Sequence, residues 1–222
     1  MSQQVSAQIL FDLPGQFTID FGLNRTQTED INGYDIKAWG SRGVNLYYMY
    51  EVQLWNEKFT FHPGFGVGLD RYSFKGDIGL VKTADRLAFV NLLEANSANG
   101  WQEIKKSLIA LNYFEIPLEI RFRTHPGKNA FRIGAGAKIG YLFDSHTKIV
   151  YKDQFGDRRK MKDKGDFYAE KLKYGLIGRI GYGPINFYGF YGLSDIFESD
   201  KFEPGQSVSI QPYFVGVTLT AF

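Results

Sequence analysis

Phe114-Glu-Ile-Pro-Leu-Glu-Ile-Arg-Phe-Arg123 sorts its residues by parity. Phe114, Ile116, Leu118, Ile120 and Phe122 are apolar, whereas Glu115, Glu119, Arg121 and Arg123 are charged. A period of two marks a β-strand whose two faces meet different surroundings, because successive side chains point to opposite sides. A helix would instead gather its apolar residues at every third or fourth position. Pro117 counts against an unbroken ladder, since proline has no N–H to donate.

The same alternation recurs on both sides of this stretch. Phe131, Ile133, Ala135, Ala137, Ile139, Tyr141 and Phe143 alternate with Arg132, Gly134, Gly136, Lys138 and Gly140. Upstream, Phe17, Ile19, Phe21 and Leu23 oppose Asp20 and Asn24, and Val44, Leu46, Tyr48 and Tyr50 oppose Asn45, Tyr47 and Met49. Phe59, Phe61, Phe65, Val67 and Leu69 oppose Thr60, His62, three glycines and Asp70, with Pro63 as a second break. Two weaker strands follow, with Tyr174, Leu176, Ile180 and Tyr182 opposing Lys173 and Arg179, then Ile185, Phe187 and Tyr191 opposing Asn186, Tyr188 and Phe190. A last strand runs from about Ser207 to Phe222, and its parity is ambiguous: Val215, Val217 and Leu219 favour one outward face, Phe214 and Phe222 the other.

That makes eight strands, and the links between them alternate in length. Trp55–Lys58, Thr124–Asn129 and Gly183-Pro184 are tight turns. The other links, roughly 28–41, 73–107, 144–172 and 194–206, are long. Short turns on one rim and long loops on the other are the layout of outer-membrane barrels, with the turns periplasmic and the loops extracellular. The expected fold is all-β: an eight-stranded antiparallel up-and-down transmembrane β-barrel over residues 17–222. Residues 1–16 form an N-terminal periplasmic segment, in which Val5-Ser6-Ala7 has the form of a signal-peptide remnant or of an ordinary chain end. In the loop 73–107, Thr83 could cap a helix over 84–95, or the segment could be an extended apolar loop. The loop 144–172 is charged.

Composition agrees. Of 222 residues 17% are aromatic and 25 are glycine, yet 23% are charged and mean hydropathy is −0.26. No apolar run approaches the ~18–20 residues of a membrane helix, but a barrel wall needs none. A net charge of +2 gives no sign of a nucleic-acid partner. Cysteine is absent, which removes disulfides and thiolate metal sites.

Period two cannot by itself say which face is wet, and a soluble lipocalin-like barrel would turn the apolar face inward. The charge-rich, glycine-rich face argues for a membrane barrel instead. Glycine thins the wall of a narrow lumen, and carboxylates and cations beside it can pair across. Phe17, Ile19, Phe21, Val44, Leu46, Ile116, Leu118, Ile120, Ile133 and Ile139 are then expected to face lipid. Glu51, Glu115, Glu119, Arg121, Arg123, Arg132, Lys138 and Arg179 are expected to form a lumen charge network. Lys173 shares their polar face.

Little else suggests chemistry. His62, His125 and His146 have no metal-ligand spacing. Ser145 and His146 are adjacent, which on a strand points them apart, so they do not make a nucleophile and base. Glu115 and Glu119 could serve as an acid–base pair, but Arg121 and Arg123 on the same face favour an ion-pair plug. No cofactor, metal or catalytic residue is expected. Arg158-Arg-Lys-Met-Lys162 could contact lipopolysaccharide phosphates or be a solvated loop. Leu87, Phe89, Val90, Leu92 and Leu93 are candidates for contact with a protein partner, or they fold over the barrel mouth.

Leu111-Asn-Tyr-Phe-Glu-Ile-Pro-Leu-Glu-Ile-Arg-Phe-Arg123 resembles a strand motif of the PorT-like outer-membrane β-barrel family of Bacteroidota. Gly134-Ala-Gly-Ala-Lys-Ile-Gly-Tyr-Leu-Phe143 is similar to the strand that follows it there. The likeness is closest over 111–145 and looser over 17–222, including the terminal Phe222. It implies a Gram-negative outer-membrane location. For some members it implies a subunit role in an outer-membrane machine for protein secretion, such as type IX, or for barrel assembly. The expected function is therefore non-enzymatic, structural or accessory, with outer-membrane lipid and other outer-membrane or periplasmic proteins as partners. A small passive pore is the alternative, and a surface enzyme acting on lipid or peptide ranks third.

Overall fold

Residues 15–28, 35–83, 85–127, 129–202 and 209–221 are described by the computed structural model. Residues 1–14 of the expected N-terminal segment 1–16, and Phe222, lie outside these residues, and Gly15 and Gln16 of that segment instead begin the first wall strand. Eight strands form the wall: β1 (Gly15–Thr28), β2 (Arg42–Tyr50), β3 (Phe59–Ser73), β4 (Glu103–Arg123), β5 (Phe131–Lys152), β6 (Leu172–Tyr182), β7 (Ile185–Gly192) and β8 (Ile210–Ala221). Each pairs antiparallel with its neighbour, and β8 returns to β1, with Ile19 opposite Leu219. The ring is therefore closed, and no wall strand is left with an open edge. Both ends of the wall lie on one rim, where Phe17 pairs with Ala221.

Pro63 and Pro117 sit in neighbouring strands. The β3–β4 ladder runs to the pair Pro63–Leu118 and resumes at Gly66–Glu115 in the same register. The prolines thus interrupt the pairing without shifting it. Gly183 turns the chain between β6 and β7 at φ 59°, a backbone conformation that glycine adopts without a Cβ clash.

The parity of β8 is settled by packing. Val215, Val217 and Leu219 are exposed on the outer wall, and Phe214 is buried inside.

β4 and β5, at 21 and 22 residues, are twice the ~9–11 residues that cross a bilayer. Their outer halves continue past the membrane as part of a crown on the rim of the long loops, the rim expected to be extracellular. The ladder between them shifts register at Asn112–Tyr113, where β5 carries one extra residue around Phe143. Such a bulge reverses the parity of everything beyond it. Below it the odd-numbered residues of β5 face outward; above it Thr147 and Ile149 are buried. This is why alternation in the sequence stops at Phe143, and why 144–172 was expected to be a loop. It is instead a strand extension to Lys152, a turn, and the return strand Arg158–Lys164.

The expected helix 84–95 is likewise replaced. Ile78–Lys82 and Leu87–Asn91 form a β-hairpin, closed by the Thr83 amide donating to the Arg86 carbonyl at 2.9 Å. Only Leu92–Ala95 makes a helical turn, capped by the Asn91 side chain rather than by Thr83. The hairpin turns Leu87 and Phe89 onto the barrel mouth, where they are buried.

That mouth is filled by an apolar core. Phe74, Leu87, Phe89, Ile109, Leu111, Phe197 and Phe202 are all buried in it. Burying one such side chain fully is worth about 1.5–3 kcal/mol. Leu87, Phe89 and Leu92 are therefore not an exposed contact patch; they are inside the crown, and Val90 and Leu93 are half-buried beside Leu92.

Candidate functional site

Inside the membrane segment the wall projects charge instead of carbon. Arg179 of β6 stands at the centre of the tier nearer the periplasm. Its Nη2 donates to both oxygens of Asp20 on β1, at 3.1 and 2.9 Å. Its Nη1 donates to Glu119 on β4, and its Nε to the Thr218 hydroxyl at 3.1 Å. Thr218 in turn donates to Asp20 at 2.6 Å. Arg121 donates to Glu119 at 2.8 Å. The Tyr188 ring lies 4.6 Å from the Arg179 guanidinium carbon. Together these contacts join β1, β4, β6, β7 and β8 across the lumen.

A second tier lies one step toward the mouth. Glu115 forms ion pairs with Lys138, at 3.0 Å, and with Lys173, and accepts a hydrogen bond from the Tyr47 hydroxyl. Lys173 also reaches Asp70 at 2.7 Å, and Asn24 donates to Asp70 at 3.2 Å. Phe190 and Tyr113 present ring faces to Lys138 and Lys173, at 4.4 and 4.1 Å. Toward the periplasm, His62 is held between Gln16 at 3.0 Å and Thr60 at 2.8 Å.

The charges balance. Asp20, Asp70, Glu115 and Glu119 are buried against Arg121, Lys138, Lys173 and Arg179. The glycines give these groups their room. A Cβ on Gly134 would lie 2.2 Å from Glu119 Oε1, and one on Gly68 would lie 2.5 Å from the Glu115 carboxyl carbon. Among the described residues, voids of about 10 Å³ each lie between these side chains, one beside Asn45 and Lys138 and another beside Arg132 and Arg179. Each is about the size of one water. A groove of about 760 Å³ lies elsewhere, bordered on the outer wall by Leu176, Tyr191, Tyr213 and Val215, where Gly178 and Gly189 pair.

Five of the residues expected in the network meet there: Glu115, Glu119, Arg121, Lys138 and Arg179. Three do not. Glu51 lies past the end of β2, where the alternation no longer holds, and pairs with Arg123 at 2.9 Å on the periplasmic rim. Arg132 donates to the carbonyls of Gly183 and Gly127, at 2.6 and 2.9 Å, and so ties two turns together. Asp20, Asp70 and Lys173 belong to the network and were not assigned to it. Asp20 and Asp70 gave a weak signal, each being a lone acid on its strand face, whereas Lys173 shares its face with Arg179 and could have been found from it. The expected lipid-facing residues all stand on the outer wall, exposed except for the half-buried Val44.

A closed eight-stranded ring with a charged interior and an apolar exterior is the inside-out pattern of a membrane barrel. The sequence model of the outer membrane protein beta-barrel domain matches residues 2–198. The chain belongs to that family. Its place is the Gram-negative outer membrane. Among solved structures the chain is similar to Ail, the attachment invasion locus protein of Yersinia pestis, solved with the heparin analogue sucrose octasulfate. The two are 14% identical, over 94% of this chain and 100% of that one, with a TM-score of 0.37. It is also similar to a major outer membrane protein of Thermus thermophilus, at 12% identity over 94% and 100% of the two chains and a TM-score of 0.34. OprG of Pseudomonas aeruginosa follows at 10%, over 94% and 96%, with a TM-score of 0.29. Superpositions this loose carry nothing about function. No curated protein sequence matches the chain.

Proposed function

We propose that this chain is a closed, non-conducting and non-enzymatic barrel that serves an outer-membrane machine as a structural or accessory subunit. Protein secretion of the type IX kind, or barrel assembly, is the proposed setting, in line with its resemblance to PorT-like barrels. The observation that carries the proposal is the filled lumen: four acids and four bases, all buried, interlocked across opposite strands. A water-filled pore would leave these groups solvated. Here each carboxylate is held by at least one cation, which also leaves none free as a general base. A barrel that passes nothing contributes through its surfaces, and its partners are therefore other outer-membrane or periplasmic proteins and the surrounding lipid.

The test is electrical. Purified protein in a planar bilayer is expected to show no stable unitary conductance. Steady single-channel steps from the wild type would overturn the proposal in favour of a passive pore.

A further inference from the structure

The lumen charges are paired, but a set of cations on the outside of the crown is not. Beyond the bulge the outward-facing positions of five adjacent strands carry cations. Arg42 lies at the top of β2, Arg71 on β3, Lys106 on β4 and Lys148 on β5. Lys160 and Lys162 follow on the return strand, where Lys162 pairs in register with Lys148. Val150 stands opposite Lys106 on one side and Lys160 on the other, and it is buried. Lysine stems lying along an apolar surface bury such a residue while their ammonium groups stay outside.

Counter-charge is scarce on this face. Asp144 is taken by His146 at 3.0 Å and lies 3.8 Å from Lys164. Glu103 is taken by Lys105 and Lys152. Asp153 and Asp157 are both bound by Arg159. Among the described residues, none of the six belt cations is in an ion pair. Burial first, and then Lys148, Arg71, Arg42 and Lys37, hold the Lys106 ammonium below the usual lysine range.

Depth identifies the anion. Phe114, Tyr141 and Phe143 are exposed on the outer wall just below the bulge, an aromatic band of the kind that marks the membrane surface. Lys148 lies five residues beyond Phe143, about 16 Å along the strand at ~3.3 Å per residue. The belt thus faces sideways into the polar layer above the acyl chains, not upward into solvent.

We propose that this belt binds the saccharide-borne phosphates of the outer-leaflet glycolipid. The match is between a row of unpaired cations and a polyanion carried at the same height, and it does not depend on whether the lumen conducts.

The full-length protein in detergent would be measured against three probes: lipopolysaccharide, the same lipid with its phosphates removed, and inorganic phosphate. Wild type is expected to bind the first, weakening as salt rises, and to bind the other two far more weakly. The triple variant Lys106→Gln, Lys148→Gln, Lys162→Gln is expected to lose affinity on the order of a hundredfold, at roughly fivefold per surface cation. Arginine at the same three positions is expected to retain it, which separates loss of charge from loss of fold. Equal binding of the dephosphorylated lipid would overturn the proposal using wild type alone. Inorganic phosphate bound as tightly as the lipid, or full binding by a heat-modifiable glutamine variant, would do so as well.

Discussion

The lower half of β4 faces inward with Glu115, Glu119 and Arg121; its upper half faces inward with Ile109 and Leu111. One strand thus lines two opposite interiors. In the membrane segment the solvent is hydrocarbon, so the wall turns carbon outward and must neutralise charge within. In the crown the solvent is water, so carbon turns inward and Lys106 and Arg71 turn out. The difference teaches that the alternation is the same and its meaning is set by what surrounds it. It also sets how each interior is held: the lumen by a few directional pairs, the crown by non-directional burial.

The sharpest way to break this contrast is to remove one lumen charge. Arg179→Met leaves Asp20 and Glu119 without their shared partner. Breaking a buried pair on one side costs about 3–5 kcal/mol. Urea unfolding of the reconstituted barrel should show a loss of that order, largely restored by adding Asp20→Asn, because Glu119 keeps its pairing with Arg121. A loss under about 1 kcal/mol would mean water reaches the network, since solvated pairs are worth no more than that.

In the crown the comparable change is Leu87→Ala. The side chain is fully buried among Phe89, Phe202 and their neighbours. Truncating a core leucine costs about 2–5 kcal/mol. The cost should fall on the crown alone, seen as faster limited proteolysis within 74–102 while the heat-modifiable band of the barrel is unchanged. If barrel unfolding shifts by as much, the two interiors are one cooperative unit and the contrast fails.

The smallest effect is local and depends on pH. At the crown turn Asp153 is held below the usual aspartate range, first by its hydrogen bond from Arg159 and also by the amides of Asp157 and Phe155. A depressed folded-state value means the turn is stabilised above the ordinary aspartate pKa of about 4, and that this is lost as pH falls through the folded value. Hydrogen-exchange protection of the Phe155 and Asp157 amides, which both donate to Asp153 at 3.0 Å, should therefore drop in acid. Arg159→Gln should flatten the dependence. Protection unchanged between pH 6 and 3 would show that the turn owes nothing to this charge.

The sequence by itself determined the strand count, the closed antiparallel order implied by short and long links, and which residues stand on the lipid face. Period two survives translation into structure because neighbouring side chains on a strand cannot share a face. It also brought out five members of the lumen network, since a charge repeated at alternate positions can go only to one side. Lone charges escaped that logic: Asp20 and Asp70 acquire partners only when strands far apart in the chain close into a ring. The register shift at Asn112–Tyr113, the hairpin in place of a helix at 78–91, and the burial of Leu87 and Phe89 were decided by tertiary structure alone. A one-residue bulge leaves no mark on composition, yet it inverts every face beyond it. An apolar run such as Leu87-Ala-Phe-Val90 fits a helix or a strand equally well until the barrel mouth supplies the surface it must cover.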